Sequence, residues 1–292
     1  FYAVNKLDSR QRENNLYEAL GVEEGASTSK VQEAFEEKKT ELAASSSPAA
    51  QEQLKEVERA HQVLADANSK SIYDETKIEP SVVSKVMGAH TLYLNLSQVT
   101  PATLQEFVNT LEKTKDNPKL TAMIIDVRGN IGGSLDFAKY LLALFIGPNQ
   151  YAFDLFHQGE LEVERTPAVP KIPSLSHFTE IAILTDSMTQ STAELTATIF
   201  KRTRLAKVIG TKTRGWGTVE NTFPVTTQLS EEEKFSVLLV HSLTLREDNE
   251  PIEGRGVDPD IDVTTPDWKR SVSNAFETPG FATAIFQSFE GK

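Results

Sequence analysis

Two periods of apolar positions divide the chain. Residues 12–75 carry apolar side chains three or four positions apart, for example at Leu54 and Val57, which predicts short amphipathic helices. From His90 onward, short apolar runs such as residues 181–184 alternate with segments of helical period, a pattern typical of α/β domains. The sequence therefore predicts a small all-α N-terminal domain followed by an α/β core.

Within the core, strands and helices are expected in regular succession. Strands are predicted over residues 91–96, 120–127, 181–186, 206–209, 223–225 and 235–245, with a hairpin within 152–164. Helices are predicted to begin at Thr100 or Thr103, to span 135–145, and to follow Ser191. The predicted boundaries are 1–78 for the helical domain, 79–88 for a linker, 89–265 for the core and 266–292 for a C-terminal helical extension packed on the outside.

The N-terminal domain is expected to contain three main helices. Gly21 ends a short first helix, and Ser27 or Thr28 caps the second. Residues 43–50 are small and polar and contain Pro48, which predicts a loop before a third helix over residues 51–65.

Composition narrows the function classes. The 292-residue chain has 42 acidic and 30 basic residues and a net charge of −12, which argues against binding to the phosphate backbone of a nucleic acid. It has no cysteine, so disulfides, thiolate catalysis and cysteine-ligated zinc are excluded. No apolar run approaches the roughly 20 residues needed to cross a bilayer. Because residue 1 is Phe rather than Met, we expect that an upstream signal or membrane anchor has been removed.

The candidate nucleophile is Ser191. It lies between a predicted buried strand and a predicted helix, and a loop with glycines at 210, 215 and 217 follows. Backbone N–H groups at a helix start can stabilise an oxyanion beside such a hydroxyl. A purely structural alternative also fits, because Ser191 followed by Glu194 is a capping box.

Two other elements invite alternative functions. The strand, glycine turn and helix around residues 128–134 could suggest a nucleotide-binding loop, but the spacing matches neither GxGxxG nor the phosphate-loop lysine motif. The acidic residues within 251–261 could suggest a metal loop, but their spacing and prolines are better explained by a turn.

Three motifs in order resemble the C-terminal processing (tail-specific) serine peptidases. They are DVRGNIGGS at 126–134, the serine three residues before a glutamate at 191–194, and GRGVDPDI at 254–261. The resemblance implies a ClpP/crotonase-like α/β core, a polypeptide substrate and no cofactor or metal. It also implies that the N–H groups of Gly133 and Thr192 form the oxyanion hole. The PDZ domain usual in that family has no counterpart long enough in this sequence.

The general base departs from the family pattern. That family uses a lysine in a Gly-Lys-Gly-Thr-Val-Gln loop, whereas residues 215–220 read GWGTVE. Trp216 therefore replaces the lysine and Glu220 the glutamine, and an indole N–H cannot accept a proton. His90 at the start of a core strand is our first candidate for a replacement base, and Glu220 is expected to orient a neighbour. Further candidates are His157, His177, His241 and Lys212.

The helical domain resembles a J domain through LYEALGV, RAHQVLAD and IYDE. The His-Pro-Asp triplet through which J domains stimulate their chaperone ATPase would fall near residues 43–45, which read Ala-Ala-Ser. The triplet is missing, so a packing or docking module for a protein partner is favoured over a working co-chaperone.

Three hypotheses remain open at this point. The chain is a serine peptidase with a weakened or displaced base, a pseudo-peptidase that binds peptides, or an adaptor that acts through its helical domain. The family resemblance favours a periplasmic or extracytoplasmic location, with membrane attachment only through the removed upstream anchor.

Overall fold

The computed structural model describes residues 15–290 apart from 44, 46, 78, 101 and 226–234. The chain divides into two compact units, Phe1–Val83 and Ser84–Lys292. Each unit has its own cluster of buried apolar side chains. The first residues of the predicted helical stretch, 12–14, and Ala44 of the Ala-Ala-Ser triplet lie outside the described residues.

The described part of the N-terminal unit is helical, as predicted. Its helices are α1 (Leu16–Leu20), α2 (Thr28–Ala43), α3 (Pro48–Leu64) and α4 (Ala67–Thr76). Gly21, in the left-handed conformation with φ 71°, ends α1. The predicted loop over 43–50 is too long, because α3 already begins at Pro48. Proline is tolerated in the first helical turn, where an N–H has no helical acceptor, and Ser47 caps the helix by accepting the Ala50 N–H at 3.2 Å.

Ten strands, five α-helices and a 3-10 helix over Pro173–His177 follow α4 in the described part of the chain. The strands are β1 (Val82–Met87), β2 (Thr91–Leu96), β3 (Ala122–Asp126), β4 (Tyr151–His157), β5 (Glu160–Arg165), β6 (Glu180–Thr185), β7 (Lys207–Gly210), β8 (Thr218–Pro224), β9 (Ser236–Thr244) and β10 (Ile261–Asp262). The helices are α5 (Thr103–Thr114), α6 (Asp136–Ile146), α7 (Thr192–Arg202), α8 (Trp268–Ala275) and α9 (Phe281–Glu290).

A six-stranded sheet in the order β1-β2-β3-β6-β7-β10 forms the centre of this unit. From β2 to β10, neighbouring strands pair in parallel. The carboxyl ends of β3 and β6 therefore meet at one edge of the sheet, and the segments that leave them are brought together there. Ligand and active sites of open parallel sheets lie at such an edge.

Both faces of this sheet are buried, as a parallel sheet requires. One face packs against α8 and α9, in a cluster that includes Ile124, Leu184 and the fully buried Val272, Phe281 and Ile285. Alternate strand residues point to the opposite face and are buried as well. Residues 266–292, predicted as a C-terminal helical extension, contain α8 and α9, and these helices cover this face of the sheet.

Within the predicted linker 79–88, residues Val82–Met87 form β1, the edge strand next to β2. A second, four-stranded sheet has the order β5-β4-β9-β8 and its described pairs are antiparallel. The prediction of an α/β core behind a small all-α domain is confirmed by this arrangement.

Candidate active site

The turn after β3 is braced by a buried ion pair. Arg128 donates to Asp126 through Nε at 2.9 Å and through Nη2 at 2.5 Å, and Nη2 also donates to the Ser288 carbonyl at 2.8 Å. The Tyr93 hydroxyl donates to Asp126 Oδ2 at 2.6 Å, and burial, followed by the charge of Asp126, raises the pKa of Tyr93. Burial opposes the charge of Arg128, but the bonds to Asp126 leave its pKa raised. Arg128 therefore joins the turn to the C-terminal helix α9.

The glycines of this turn lie directly against Ser191. A Cβ on Gly132 would stand 2.7 Å from Ser191 Cβ and 2.9 Å from Thr192 N, and one on Gly133 would stand 2.1 Å from the Val99 carbonyl oxygen. The Thr192 hydroxyl donates to the Gly133 carbonyl at 2.9 Å. Only glycine permits this approach. The structure thus brings Gly133 together with Ser191 and Thr192, which lie 58 and 59 positions farther along the chain.

Ser191 occupies a sharp junction between β6 and α7. Its backbone has φ 53° and ψ −125°, a conformation that costs a non-glycine residue on the order of 1–3 kcal/mol. Serine nucleophiles of other hydrolases sit on similarly strained strand-to-helix turns, which expose the hydroxyl. The side chain is partly buried and stands at the amino end of α7, where N–H groups and the helix dipole favour negative charge.

Glu194 is the centre of the site. It is fully buried, and its Oε2 accepts the N–H of Ser191 at 2.9 Å and that of Trp216 at 2.8 Å. Its Oε1 accepts the Gly215 N–H at 2.7 Å and the Thr213 hydroxyl. The carboxylate therefore fixes the loop 213–217 beside Ser191. The sequence identified Glu194 as a helix-capping partner and as part of the family motif, but not as the acceptor that holds this loop.

The loop 213–217 also packs on the turn after residue 251. The Gly217 N–H donates to Glu253 at 2.8 Å, and the Val257 N–H donates to the Thr213 hydroxyl at 2.7 Å. Trp216 projects from this loop with 48% of its surface exposed. Glu220 lies farther along β8 and accepts the hydroxyl of Thr218. Position 216 is thus held next to Ser191, and it carries an exposed indole.

The histidines proposed as replacement bases lie elsewhere. His90 precedes β2 at the amino end of the parallel strands, opposite to Ser191, and its Nδ1 is 2.9 Å from the Lys119 carbonyl. His177 ends a 3-10 helix that precedes β6, also at the amino end. His157 and His241 stack on each other in the second sheet with ring centroids 3.9 Å apart. His90 and His177 therefore lie away from Ser191, and among the described residues no hydrogen bond joins any of the four histidines to Ser191.

Lys212 is engaged as well. Its Nζ is 3.2 Å from Asp258 Oδ1. Burial tends to raise the pKa of Asp258, but the bond to Lys212 and the charges of Lys212 and Arg246 leave that pKa lowered. Over residues 15–290, with the gaps given above, no lysine or histidine side chain is hydrogen-bonded to Ser191.

Neither a metal-binding cluster nor a membrane-spanning helix is present among the described residues. None of their His, Asp and Glu side chains gather in threes or more as a metal ion would require. None of their helices combines the length and the apolar character needed to span a membrane.

Comparison with known proteins follows the same division of the chain. A sequence model of the DnaJ domain matches residues 15–74, so the N-terminal unit is J-domain-like. The core is similar to the carboxy-terminal-processing protease of Bartonella bacilliformis, at 28% identity over 177 residues that cover 60% of this chain and 39% of the relative. It is also similar to the carboxy-terminal processing protease CtpB of Bacillus subtilis, at 25% identity over 187 residues, 63% of this chain and 36% of the relative. The chain thus spans well under half of the length of these relatives.

Solved structures share the fold. The photosystem II D1 C-terminal processing protease superposes with a TM-score of 0.50 at 16% identity, covering 64% of this chain and 49% of that one. A lipoprotein from Streptococcus agalactiae superposes with a TM-score of 0.51 at 18% identity, covering 82% and 86%. The sequence model of peptidase family S41 matches residues 90–263, a range that contains the glycine turn, Ser191, Glu194 and the loop of Trp216. With more than half of its residues in that match, this chain belongs to peptidase family S41.

Proposed function

We propose that the core is a serine-type peptidase site of the C-terminal processing kind that acts slowly on polypeptides. Ser191 is the nucleophile, and the N–H groups of Gly133 and Thr192 stabilise the oxyanion. The observation that carries this proposal is the contact of the Gly132–Gly133 turn with Ser191 at the amino end of α7.

The proposed reaction is acyl transfer through Ser191. Its oxygen bonds to the substrate carbonyl carbon, the hydroxyl proton passes to the leaving amine as the C–N bond breaks, and water then hydrolyses the ester. A serine hydroxyl needs a base to take that proton. Trp216 stands in the place of that base and cannot accept a proton. Losing a general base lowers the rate by a factor on the order of 10²–10⁴, so slow turnover is expected.

Exposed apolar side chains around Ser191 support a polypeptide substrate. Ile131, Met188 and Trp216 are 65%, 48% and 48% exposed. They belong to three loops that are hydrogen-bonded to one another: Gln190 N–H donates to Asn130 at 2.9 Å, and the loop of Trp216 is held by Glu194. Exposed apolar clusters of this kind mark binding surfaces.

A fluorophosphonate probe tests the nucleophile. The protein should acquire one covalent label, which peptide mass spectrometry locates at Ser191, and the Ser191→Ala variant should remain unlabelled. A folded protein that takes up no label after long exposure would remove Ser191 as a nucleophile.

A second candidate function is peptide binding without hydrolysis, which the exposed indole at position 216 favours. It predicts saturable peptide binding that is the same for the unaltered protein and for Ser191→Ala, together with no labelling. The two candidates therefore differ in the labelling experiment and agree in the binding experiment.

We propose further that the J-domain-like unit docks a protein partner and that the protein acts outside the cytoplasm. The match to a DnaJ domain supports the first statement, and the fold shared with a streptococcal lipoprotein supports the second. Deletion of residues 1–78 spares β1 and should abolish a co-purifying association. Cell fractionation with an antibody against the core tests the location, and recovery in the cytoplasmic fraction would contradict it.

A further inference from the structure

The second sheet ends at a strand that begins beside the candidate active site. In the order β5-β4-β9-β8, β8 is an outer strand, and no described strand pairs with its other edge. It begins at Thr218, two residues after Trp216. Since Glu194 Oε2 holds the N–H groups of both Trp216 and Ser191, the start of β8 is close to the nucleophile.

The hydrogen bonds of Gly217 and Val225, the residues that flank β8, show which residues of β8 direct their backbone groups to its outer edge. The Gly217 carbonyl accepts from Thr244 N–H at 2.8 Å, and Val225 N–H donates to the Phe235 carbonyl at 3.0 Å, so both residues face β9. Successive residues of a strand direct their backbone groups to opposite edges. The one register shift skips His241 on β9 and leaves the alternation of β8 intact.

Thr218, Glu220 and Thr222 therefore direct their N–H and C=O groups away from β9. Pro224 also faces away from β9. A proline is tolerated there because the N–H that it lacks would not have bonded to β9. The outer edge thus offers donors and acceptors over about 13 Å, from a rise of about 3.3 Å per residue. That length suits about five residues of an added strand.

Apolar side chains line both faces of this ribbon. Val237, Leu238, Leu239 and Val240 are consecutive on β9 and are 41–59% exposed. Alternation puts two of them on each face, and Phe223, opposite Val237, is 46% exposed. An antiparallel ribbon in water ordinarily keeps one face polar, so this one is suited to contact with another polypeptide.

The charge of the edge decides between a second copy and a different polypeptide. In the antiparallel self-pairing that uses all three outward residues, Glu220 would lie opposite Glu220 of the second copy, and like charges directly opposite destabilise a pair. Each copy also carries a net charge of −12. A neutral or basic foreign strand meets neither obstacle.

We propose that the outer edge of β8 binds an extended segment of the polypeptide substrate through Thr218, Glu220 and Thr222 and directs it toward Ser191. This inference rests on the proposed function, because it assigns the polypeptide of that site. The segment is about five residues long, carries apolar side chains at alternate positions and lacks an acidic side chain opposite Glu220. Main-chain bonds of this kind give affinity with little dependence on sequence.

The test compares two variants in the Ser191→Ala background, which prevents turnover. Thr222→Pro removes an outward N–H, whereas Thr222→Val keeps it. The probe is a fluorescein-labelled nine-residue peptide that alternates valine with lysine, and binding is measured by fluorescence anisotropy. Losing one hydrogen bond should raise the Kd of Thr222→Pro about 3- to 10-fold, and Thr222→Val should bind as the background does.

A second measurement covers the case in which Thr222→Pro fails to fold. Two versions of the same peptide carry N-methyl groups on the odd or on the even residues. One version should bind the Ser191→Ala protein at least about 10-fold more weakly than the other, because only one of the two sets of N–H groups faces β8. Three results would each overturn the inference: equal binding of the two N-methylated peptides, equal binding by Thr222→Pro and Thr222→Val, or no binding of the unmethylated peptide. Fluorophosphonate labelling of the unaltered protein reports on Ser191 alone, so the proposed catalysis can fail while edge binding is upheld, and the reverse.

Discussion

Ser191 and Trp216 are joined through a single atom, since Oε2 of Glu194 accepts the backbone N–H of both, at 2.9 and 2.8 Å. The backbone of position 216 is therefore fixed next to Ser191. Under the proposed function, one side chain on this fixed backbone separates the site from a serine–lysine pair.

The variant Trp216→Lys should gain hydrolytic activity. A lysine there places an amine on a four-carbon stem beside the Ser191 hydroxyl, and a positioned base is worth about 10²–10⁴ in rate. The measurement is the rate of fluorophosphonate labelling and of cleavage of an unfolded protein substrate. Trp216→Met, which has no proton acceptor, is the matched control and should leave both rates at the level of the unaltered protein.

The gain should also depend on the nucleophile and on pH. Trp216→Lys combined with Ser191→Ala should be inactive, and activity should rise with pH as the amine loses its proton. A Trp216→Lys protein that folds but labels no faster than Trp216→Met would show that the geometry at position 216 is not that of a base.

Glu194→Gln should destabilise the core. The carboxylate accepts four hydrogen bonds and donates none, so an amide group must turn its NH₂ toward N–H or O–H donors. Leaving a buried donor without an acceptor costs about 1–3 kcal/mol, which lowers Tm by several degrees, about 2–4 °C per kcal/mol in a domain of this size.

Glu253→Gln provides the matched control for that substitution. Glu253 is exposed and accepts one N–H, from Gly217, which a glutamine carbonyl oxygen also accepts. Calorimetry should place Glu253→Gln near the unaltered protein and Glu194→Gln clearly below it. Equal melting temperatures would contradict the assignment of Glu194 as the centre of the site.

Local patterns predicted much of the fold because local causes set those elements. Strand β2 coincides with the predicted residues 91–96, and α7 begins directly after Ser191, as its cap requires. Alternation, helical period and capping all act within a few residues, so a single sequence carries them. The strand, glycine turn and helix around residues 122–146 was found for the same reason.

The remaining features depend on residues that are distant in sequence. The partners of Glu194 on the loop 213–217 lie 19 to 22 positions away, whereas the local pattern explains only its bond to Ser191. The sequence predicts a connector over 79–88, whereas β1 forms there through its pairing with β2, which is set by the tertiary fold. Likewise, the amphipathic pattern of α9 predicts a helix but not which face of the sheet that helix covers.

Gly132→Ala should prevent labelling of Ser191. A Cβ at this position would stand 2.7 Å from Ser191 Cβ and 2.9 Å from Thr192 N, and the nucleophile would have to move. Gly129→Ala is the matched control, since its φ of +72° is close to the +89° of Gly132 but nothing lies within 4 Å of the added Cβ. Both variants share the backbone strain of a left-handed alanine, and only Gly132→Ala should lose the label in mass spectrometry. Retained labelling in Gly132→Ala would show that the contact of the turn with Ser191 is dispensable.

The helical unit should lose stability as pH falls through the range set by His61. Its ring stacks on Phe35 with centroids 3.8 Å apart and its Nε2 is 2.7 Å from Gln32. Burial lowers the pKa of His61 from its ordinary 6.5, and the charge of Glu36 opposes this only in part.

A lowered histidine pKa means that the unfolded chain takes up the proton first. The free energy of unfolding is therefore unaffected above about pH 6.5 and decreases as pH falls from there to the pKa of the folded state. Asp74, whose pKa is lowered from 3.8 mainly by Lys70 against the effect of its burial, acts only at more acid pH. Hydrogen exchange in α3, corrected for the intrinsic effect of pH, should show weaker protection at about pH 5.5 than at about pH 7.5. His61→Gln should show less protection at both pH values but no such difference between them, and an equal difference in both proteins would exclude His61 as the cause.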